Sequence, residues 1–287
     1  MTDIELTGES FGADPNRSLA AEVKGKLSLK ESQSFNQRIM SWYGIIAFLI
    51  LWQIAPYVGL VDGRFIPPVS EIVSDALKLV LNGQIFIHAA ISAQRVLIGL
   101  IAAFIVAIPS AVVLAGWFPR LTRFMFPLLQ LLGNINPFAI FPLFILFFGV
   151  GEIAKFAIIF WSSLFPILNT TINGVINIEP ILLKAARSMG ATKTTIFWKV
   201  VLPGALPSII TGFRMGATTA VLFLIAAEML SASAGLGWLI HNSSVNYYIP
   251  RIYVGVVGIA VLGMLMNLLI NKLETFFLDF KEEAKVD

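Results

Sequence analysis

The sequence predicts an all-α integral membrane fold of six transmembrane helices, and three observations carry that reading. Hydrophobic residues make up 57% of the chain and charged residues 13%, about half the roughly 25% charged share of an ordinary soluble domain. The apolar residues gather in six runs, each close to or above the ~20 residues that cross a hydrocarbon core. Charged residues fall mainly between those runs, and no cysteine is present to form disulfides or thiolate metal sites. With 20 Lys plus Arg against 17 Asp plus Glu the net charge is only +3, which gives no footing for nucleic-acid binding.

Residues 1–40 are polar and mixed in charge, the composition of a mobile tail, without the short apolar core and cleavage site of a removable signal. Segment 41–84 holds span 1 (42–60), long enough to cross despite Pro56 near its end. It also holds an amphipathic surface helix (69–81), where Ile72, Ala76 and Leu79 alternate with polar residues. The core, 85–273, begins with span 2 (89–115). Span 3 (124–148) is interrupted by Gly133-Asn134-Ile135-Asn136-Pro137, because Pro137 removes a backbone donor in mid-membrane. A short connection with Glu152 and Lys155 leads to span 4 (154–176). Span 5 (206–229) carries the small-residue stripe Gly212, Gly216, Ala220, which permits close helix packing. Residues 231–248 are too polar to span and lie at the outer interface around Gly235-Leu236-Gly237-Trp238. Span 6 (252–273) and a charged tail (274–287) complete the chain.

Cation placement sets the orientation. With both termini inside, 15 of the 20 Lys and Arg fall on the cytoplasmic side, leaving Arg64, Lys78, Arg95, Lys155 and Arg251 outside.

Between spans 4 and 5 the chain reads Lys184-Ala185-Ala186-Arg187-Ser188-Met189-Gly190 and, nine residues later, Val200-Val201-Leu202-Pro203. Pro180 suits a first helical position and Gly190 the position past a helix end, so 181–189 is a short helix. Leu182, Ala185, Ala186 and Met189 share one face, and the two alanines let a partner approach closely, with Lys184 and Arg187 to the side. Thr192 caps a second short helix, which Pro203 stops before Pro207 opens the next apolar run. The segment is a helix–turn–helix facing the cytoplasm.

That spacing resembles the cytoplasmic coupling loop of permease subunits of bacterial ABC importers, with two departures: Lys184 stands where the family has Glu, and Val200 where it has Ile. Gln94-Arg95-Val96-Leu97-Ile98-Gly99 and Ala226-Ala227-Glu228-Met229-Leu230 resemble the branch of that family serving nitrate, sulfonate, taurine, bicarbonate and related small solutes. The resemblance implies a type I-like importer permease in the bacterial inner membrane. It implies a second copy of the same chain, two cytoplasmic ATPases that bind ATP and Mg, and an extracytoplasmic solute-binding protein. The ATPase-coupling residues would be Lys184, Ala185, Ala186, Arg187, Gly190, Val200, Leu202 and Pro203. This chain itself carries no phosphate-binding loop, since Gly25-Lys26 continues into Leu27.

Few residues within the spans carry chemistry. Glu228, near the outer end of span 5, is costly to bury unpaired, and Arg95 is the partner expected for it. It reaches the headgroup region, ties the outer loop to span 5, or contacts solute. Asn134 and Asn136 either line a translocation path with Glu228 and Arg95 or satisfy carbonyls freed by Pro137. Asn169 and Asn173 share a face of span 4 and suit interhelical hydrogen bonds. His88 and His241 have no ligand spacing and read as interfacial residues. No nucleophile elbow, metal cluster or catalytic carboxylate pair is found, so an intramembrane enzyme is disfavoured. A self-contained secondary transporter or channel is the alternative to the ABC permease.

Overall fold

The computed structural model describes residues 43–282, so the expected mobile tail over 1–40 lies outside the described residues. Contacts divide the chain into two units after Val69. In the first, α1 (Tyr43–Ile54) spans ~18 Å at 1.5 Å per residue. The chain keeps turning past Pro56 until Gly59, at φ 77°, ends the coil. There Gly59 N donates to Pro56 O and Leu60 N to Ala55 O, a left-handed cap.

The second unit is a helical bundle: α2 (Val69–Leu81), α3 (Gln84–Trp117), α4 (Pro119–Asn134), α5 (Pro137–Phe148), α6 (Glu152–Ile176), α7 (Pro180–Ser188), α8 (Lys193–Ile196), a π-helical turn (Phe197–Val201), α9 (Leu202–Ser231), α10 (Leu236–Val245) and α11 (Ile249–Glu282). The core sits where α3, α6 and α9 meet. On α3 the fully buried Ala103, Ala107 and Ala111 recur every four residues, a stripe that keeps backbones close. Gly212 and Gly216 of α9 press on α6: a Cβ at Gly216 would fall 2.8 Å from Ile167 Cγ1 and 3.2 Å from Ser163 O, and one at Gly212 would collide with Thr170. The close approach permits interhelical bonds from Ser163 Oγ to Gly216 O (3.0 Å) and from Thr219 Oγ1 to Ser162 O (3.0 Å). Asn169, expected to supply such a bond, instead keeps a buried Oδ1 without a partner among the described residues. Hydroxyls reach a neighbouring carbonyl where backbones nearly touch; the longer amide does not fit there.

The apolar face of α2, Ile72, Ala76 and Leu79, packs on Leu239 and Val254. Asp75 on its other side accepts from Arg251 at 3.1 and 3.2 Å. Span 3 breaks as the sequence predicts, α4 and α5 meeting at 87°. Pro203 does not stop the helix expected to end there: Lys193–Ser231 is continuous over 39 residues. Leu202 N reaches back to Phe197 O, five residues away. The wider π turn makes room for the proline ring and its missing donor. Likewise α11 runs on through the first part of the charged tail to Glu282.

Candidate functional site

Two places gather the sequence-predicted residues, one at each end of α9. The first is the α7–α8 helix–turn–helix. Pro180 occupies the first turn of α7 and Met189 its C-cap. Gly190, at φ 76°, closes it, with Gly190 N donating to Arg187 O (3.0 Å) and Ala191 N to Ala186 O (3.1 Å). These two bonds form a Schellman motif. Thr192 Oγ1 accepts from Thr195 N at 3.2 Å and caps α8, as expected.

The faces of α7 differ from the sequence expectation in one respect. Ala186 is buried inside its own chain at 5% exposure, whereas Ile181, Leu182 and Met189 are 69%, 48% and 81% exposed and Ala185 is exposed beside them. The two alanines therefore do not share the outward face. Residues 185 and 186 lie 100° apart on a helix, and the inward one holds α7 against the bundle. The outward surface is Ile181, Leu182, Ala185 and Met189, with exposed Lys184 beside it and exposed Arg187 round the helix from it. Apolar side chains exposed on so polar a loop form the kind of patch that a protein partner covers. Val200, Leu202 and Pro203 lie in the π turn and the start of α9.

The second place is a polar cluster at the far end of α9. Glu228 is fully buried and Arg95 is 4% exposed, and Arg95 Nη1 donates to Glu228 Oε1 at 2.7 Å. Ser92 Oγ lies 2.8 and 2.9 Å from the two carboxylate oxygens. Three successive backbone N–H groups at the start of α10, beginning with its N-cap Gly235, donate into this cluster: Gly235 to His88 Nδ1 (3.1 Å), Leu236 to Ser92 Oγ (2.8 Å) and Gly237 to Glu228 Oε2 (2.8 Å). Gly235 has φ 121°, and any Cβ there would strike the Glu228 carboxylate, so glycine is required on both counts. Arg95 also donates to Ala234 O at 2.6 Å and grips Glu152 with Nε and Nη2 at 2.8 and 2.7 Å. Buried Lys155 reaches the same carboxylate at 2.6 Å. Two cations thus face two carboxylates, and the cluster stitches α3, α6, α9 and the loop before α10.

Of the roles open to Glu228, this geometry favours tying the segment before α10 to α9: the carboxylate is enclosed by donors of its own chain, and neither it nor Arg95 is exposed to a path or to a headgroup. Asn134 and Asn136 are exposed at the α4–α5 break. Asn136 Oδ1 accepts from Phe138 N at 3.0 Å, so it caps a donor and does not satisfy a freed carbonyl. Glu152, Lys155, Ser92 and His88 were not singled out from sequence as members of the cluster. A signal existed, because His88, Ser92 and Arg95 fall at i, i+4 and i+7, a polar stripe on an otherwise apolar helix. His88 is thus a loop anchor stacked 5.3 Å from Trp238.

Among the described residues, four helices are long and apolar enough to cross a membrane, or five if the bent α4–α5 pair is one span. Together with an amphipathic helix–turn–helix between two of them, they define a multi-pass membrane protein of the transporter class. The profile of the binding-protein-dependent transport system inner membrane component matches residues 86–277, and the chain belongs to that family of ABC transporter permeases. It is 33% identical to the putative aliphatic sulfonates transport permease protein SsuC of Escherichia coli K12, over 84% of this chain and 91% of that one. It is 27% identical to the taurine transport system permease protein TauC of the same organism, over 86% and 91%. Its fold matches an inward-facing structure of the MetNI methionine ABC transporter with a TM-score of 0.60 at 18% identity, over 69% of this chain and 97% of that one.

Proposed function

We propose that this permease is the membrane path of an ATP-driven importer for a small polar, anionic solute of the sulfonate, taurine or nitrate kind. An extracytoplasmic binding protein delivers the solute. Two copies of the chain form the path, with both termini cytoplasmic as the cation asymmetry favours. Two ATPase subunits hold ATP and Mg and dock on α7. The observation that carries this reading is the outward apolar surface of Ile181, Leu182, Ala185 and Met189, on a cationic loop that the described residues leave uncovered. Nucleotide-driven closure of the ATPases would move α7, and α9 with it, switching the path between outward and inward openings. The bend at Asn134 and Asn136 is where the path would meet polar side chains. Lys184, in place of the family's Glu, adds a cation to the docking surface and calls for an acidic patch on the ATPase.

The test is co-purification of the ATPase with tagged permease, alongside substrate-stimulated ATP hydrolysis. Ala185→Trp should lose the ATPase while still inserting into the membrane. Full retention and full transport by that variant would refute docking on this face. Saturable uptake by the isolated chain, driven by an ion gradient, would establish the secondary-transporter alternative.

A further inference from the structure

A cavity of about 850 Å³ lies behind α7, lined among others by Trp117, Val175, Arg187, Lys193, Thr194 and Phe197. Its position follows from the elements that build it. α3 ends at Trp117, α6 ends at Ile176, and the continuous helix containing α9 begins at Lys193. The cavity therefore sits where apolar spans give way to a basic loop, the depth of lipid headgroups. That depth is the same whichever way the chain faces and whether or not an ATPase docks on α7.

Its lining has two chemistries. Arg187 and Lys193 form no ion pair with any described residue, and both are exposed. Thr194 adds a hydroxyl. Behind them Ala115, Val175, Ile196 and Val201 form an apolar wall, and Trp117, 52% exposed, packs 4.4 Å from Phe197. A soluble anion would leave that wall against water, and a neutral lipid would leave two cations without a counter-charge. An amphiphile with an anionic head satisfies both, and a basic pocket between spans at headgroup depth is the setting in which anionic lipids bind. A half-exposed tryptophan at the end of a span also marks the interface.

The geometry points to this cavity as a binding site for one anionic phospholipid, its phosphate between Arg187 and Lys193 and its first methylenes against the apolar wall. A lipid held there touches α7 from behind, so the composition of the leaflet would tune how firmly that helix is seated.

The full chain, purified without any partner, is reconstituted in nanodiscs of equal phosphatidylglycerol and phosphatidylcholine, and the lipid it retains is measured by native mass spectrometry. Wild type should retain phosphatidylglycerol preferentially. The preference should fall about five-fold for each of Arg187→Gln and Lys193→Gln, the effect of one cation near an anionic surface. Lys199→Gln removes the same charge away from the cavity and should change nothing, whereas Thr194→Trp places an indole in the cavity with both cations intact and should weaken retention. Equal retention of the two lipids by wild type, or an unchanged preference in the Arg187→Gln/Lys193→Gln double variant, would overturn the site. Displacement of the bound lipid by millimolar inorganic phosphate would show a soluble-anion site and overturn the lipid assignment. Because no ATPase is present, none of these outcomes depends on docking.

Discussion

Replacing Glu228 with Gln tests what the buried carboxylate is for. Every group that approaches it is a donor: Arg95 Nη1 at 2.7 Å, Ser92 Oγ at 2.8 and 2.9 Å, and Gly237 N at 2.8 Å. An amide has one accepting oxygen, so its NH₂ must face either Arg95 or the Gly237 N–H, and the ion pair is lost in either orientation. Hydrogen bonds to a charged group contribute about 1.5–3 kcal/mol each, and breaking a buried pair by removing one partner costs about 3–5 kcal/mol. Glu152 still neutralises Arg95, which places the expected loss near the lower bound, about 3 kcal/mol. For a chain of this size that is a fall in Tm of roughly 5–10 °C. The assay is thermal unfolding in detergent, with Arg95→Gln and the double variant completing a cycle. The double variant should be less destabilised than the sum of the singles by about 1.5 kcal/mol or more. Unchanged Tm in Glu228→Gln together with lost solute uptake would return this residue to the translocation path and refute the bracing argument; a strictly additive cycle would refute the pairing.

Other outcomes follow from geometry at single positions. Gly216→Leu drives a side chain into a site where a Cβ alone falls 2.8 Å from Ile167 Cγ1, whereas at Gly263 the nearest atom is Val221 Cγ1 at 3.8 Å; size-exclusion chromatography should show folded protein lost for Gly216→Leu and retained for Gly263→Leu. At Gly190 nothing lies within 4 Å of an added Cβ, so the cost there is that of a left-handed backbone, about 1–2 kcal/mol for most residues; ATPase co-purification should survive Gly190→Asn and fail for Gly190→Val. Because the chain has no native cysteine, Lys193→Cys provides a single reporter; an impermeant thiol reagent should label it only after the membrane is opened, and labelling of intact cells would reverse the proposed orientation.

The helical runs, the break at Pro137 and the close α6–α9 packing were legible in the sequence because each follows from local chemistry. A missing N–H breaks a helix wherever it lies, and glycines four apart allow contact between any two helices. The π turn at Phe197–Val201 was not legible. Pro203 normally ends a helix, and only the tertiary setting makes it more favourable to widen one turn than to stop. The inward face of Ala186 was hidden for a related reason: α7 is apolar on more than one side, and periodicity does not say which side its own chain claims. The cluster around Glu228 was half legible. The carboxylate in an apolar run required a cation, which identified Arg95, but Glu152 and Lys155 resembled an ordinary polar connection until α6 brought them beside α3.

Both departures from simple membrane-helix rules fall at opposite ends of one element. The helix from Lys193 to Ser231, 39 residues without a stop, is ~58 Å long at 1.5 Å per residue. Its first turns join α7 through the Gly190 turn, and near its other end Glu228 is bonded to three donors. Between those ends Gly212 and Gly216 interlock with α6, so the two helices resist sliding past one another and shift as a pair. The π turn, just after the point where a partner's push on α7 would enter, is the irregular place where such a helix yields. A displacement delivered beyond that turn reaches the far end of the helix undiminished only if the far end cannot absorb it locally. The cluster supplies that condition: Glu228 of α9 holds Gly237, and Ser92 and His88 of α3 hold Leu236 and Gly235, so this segment is bonded to both helices at three successive residues. On the proposed function, the exposed apolar surface at the inner end and the fully bonded carboxylate at the outer end are therefore complementary requirements, one for receiving a stroke and the other for passing it on to the opening of the path.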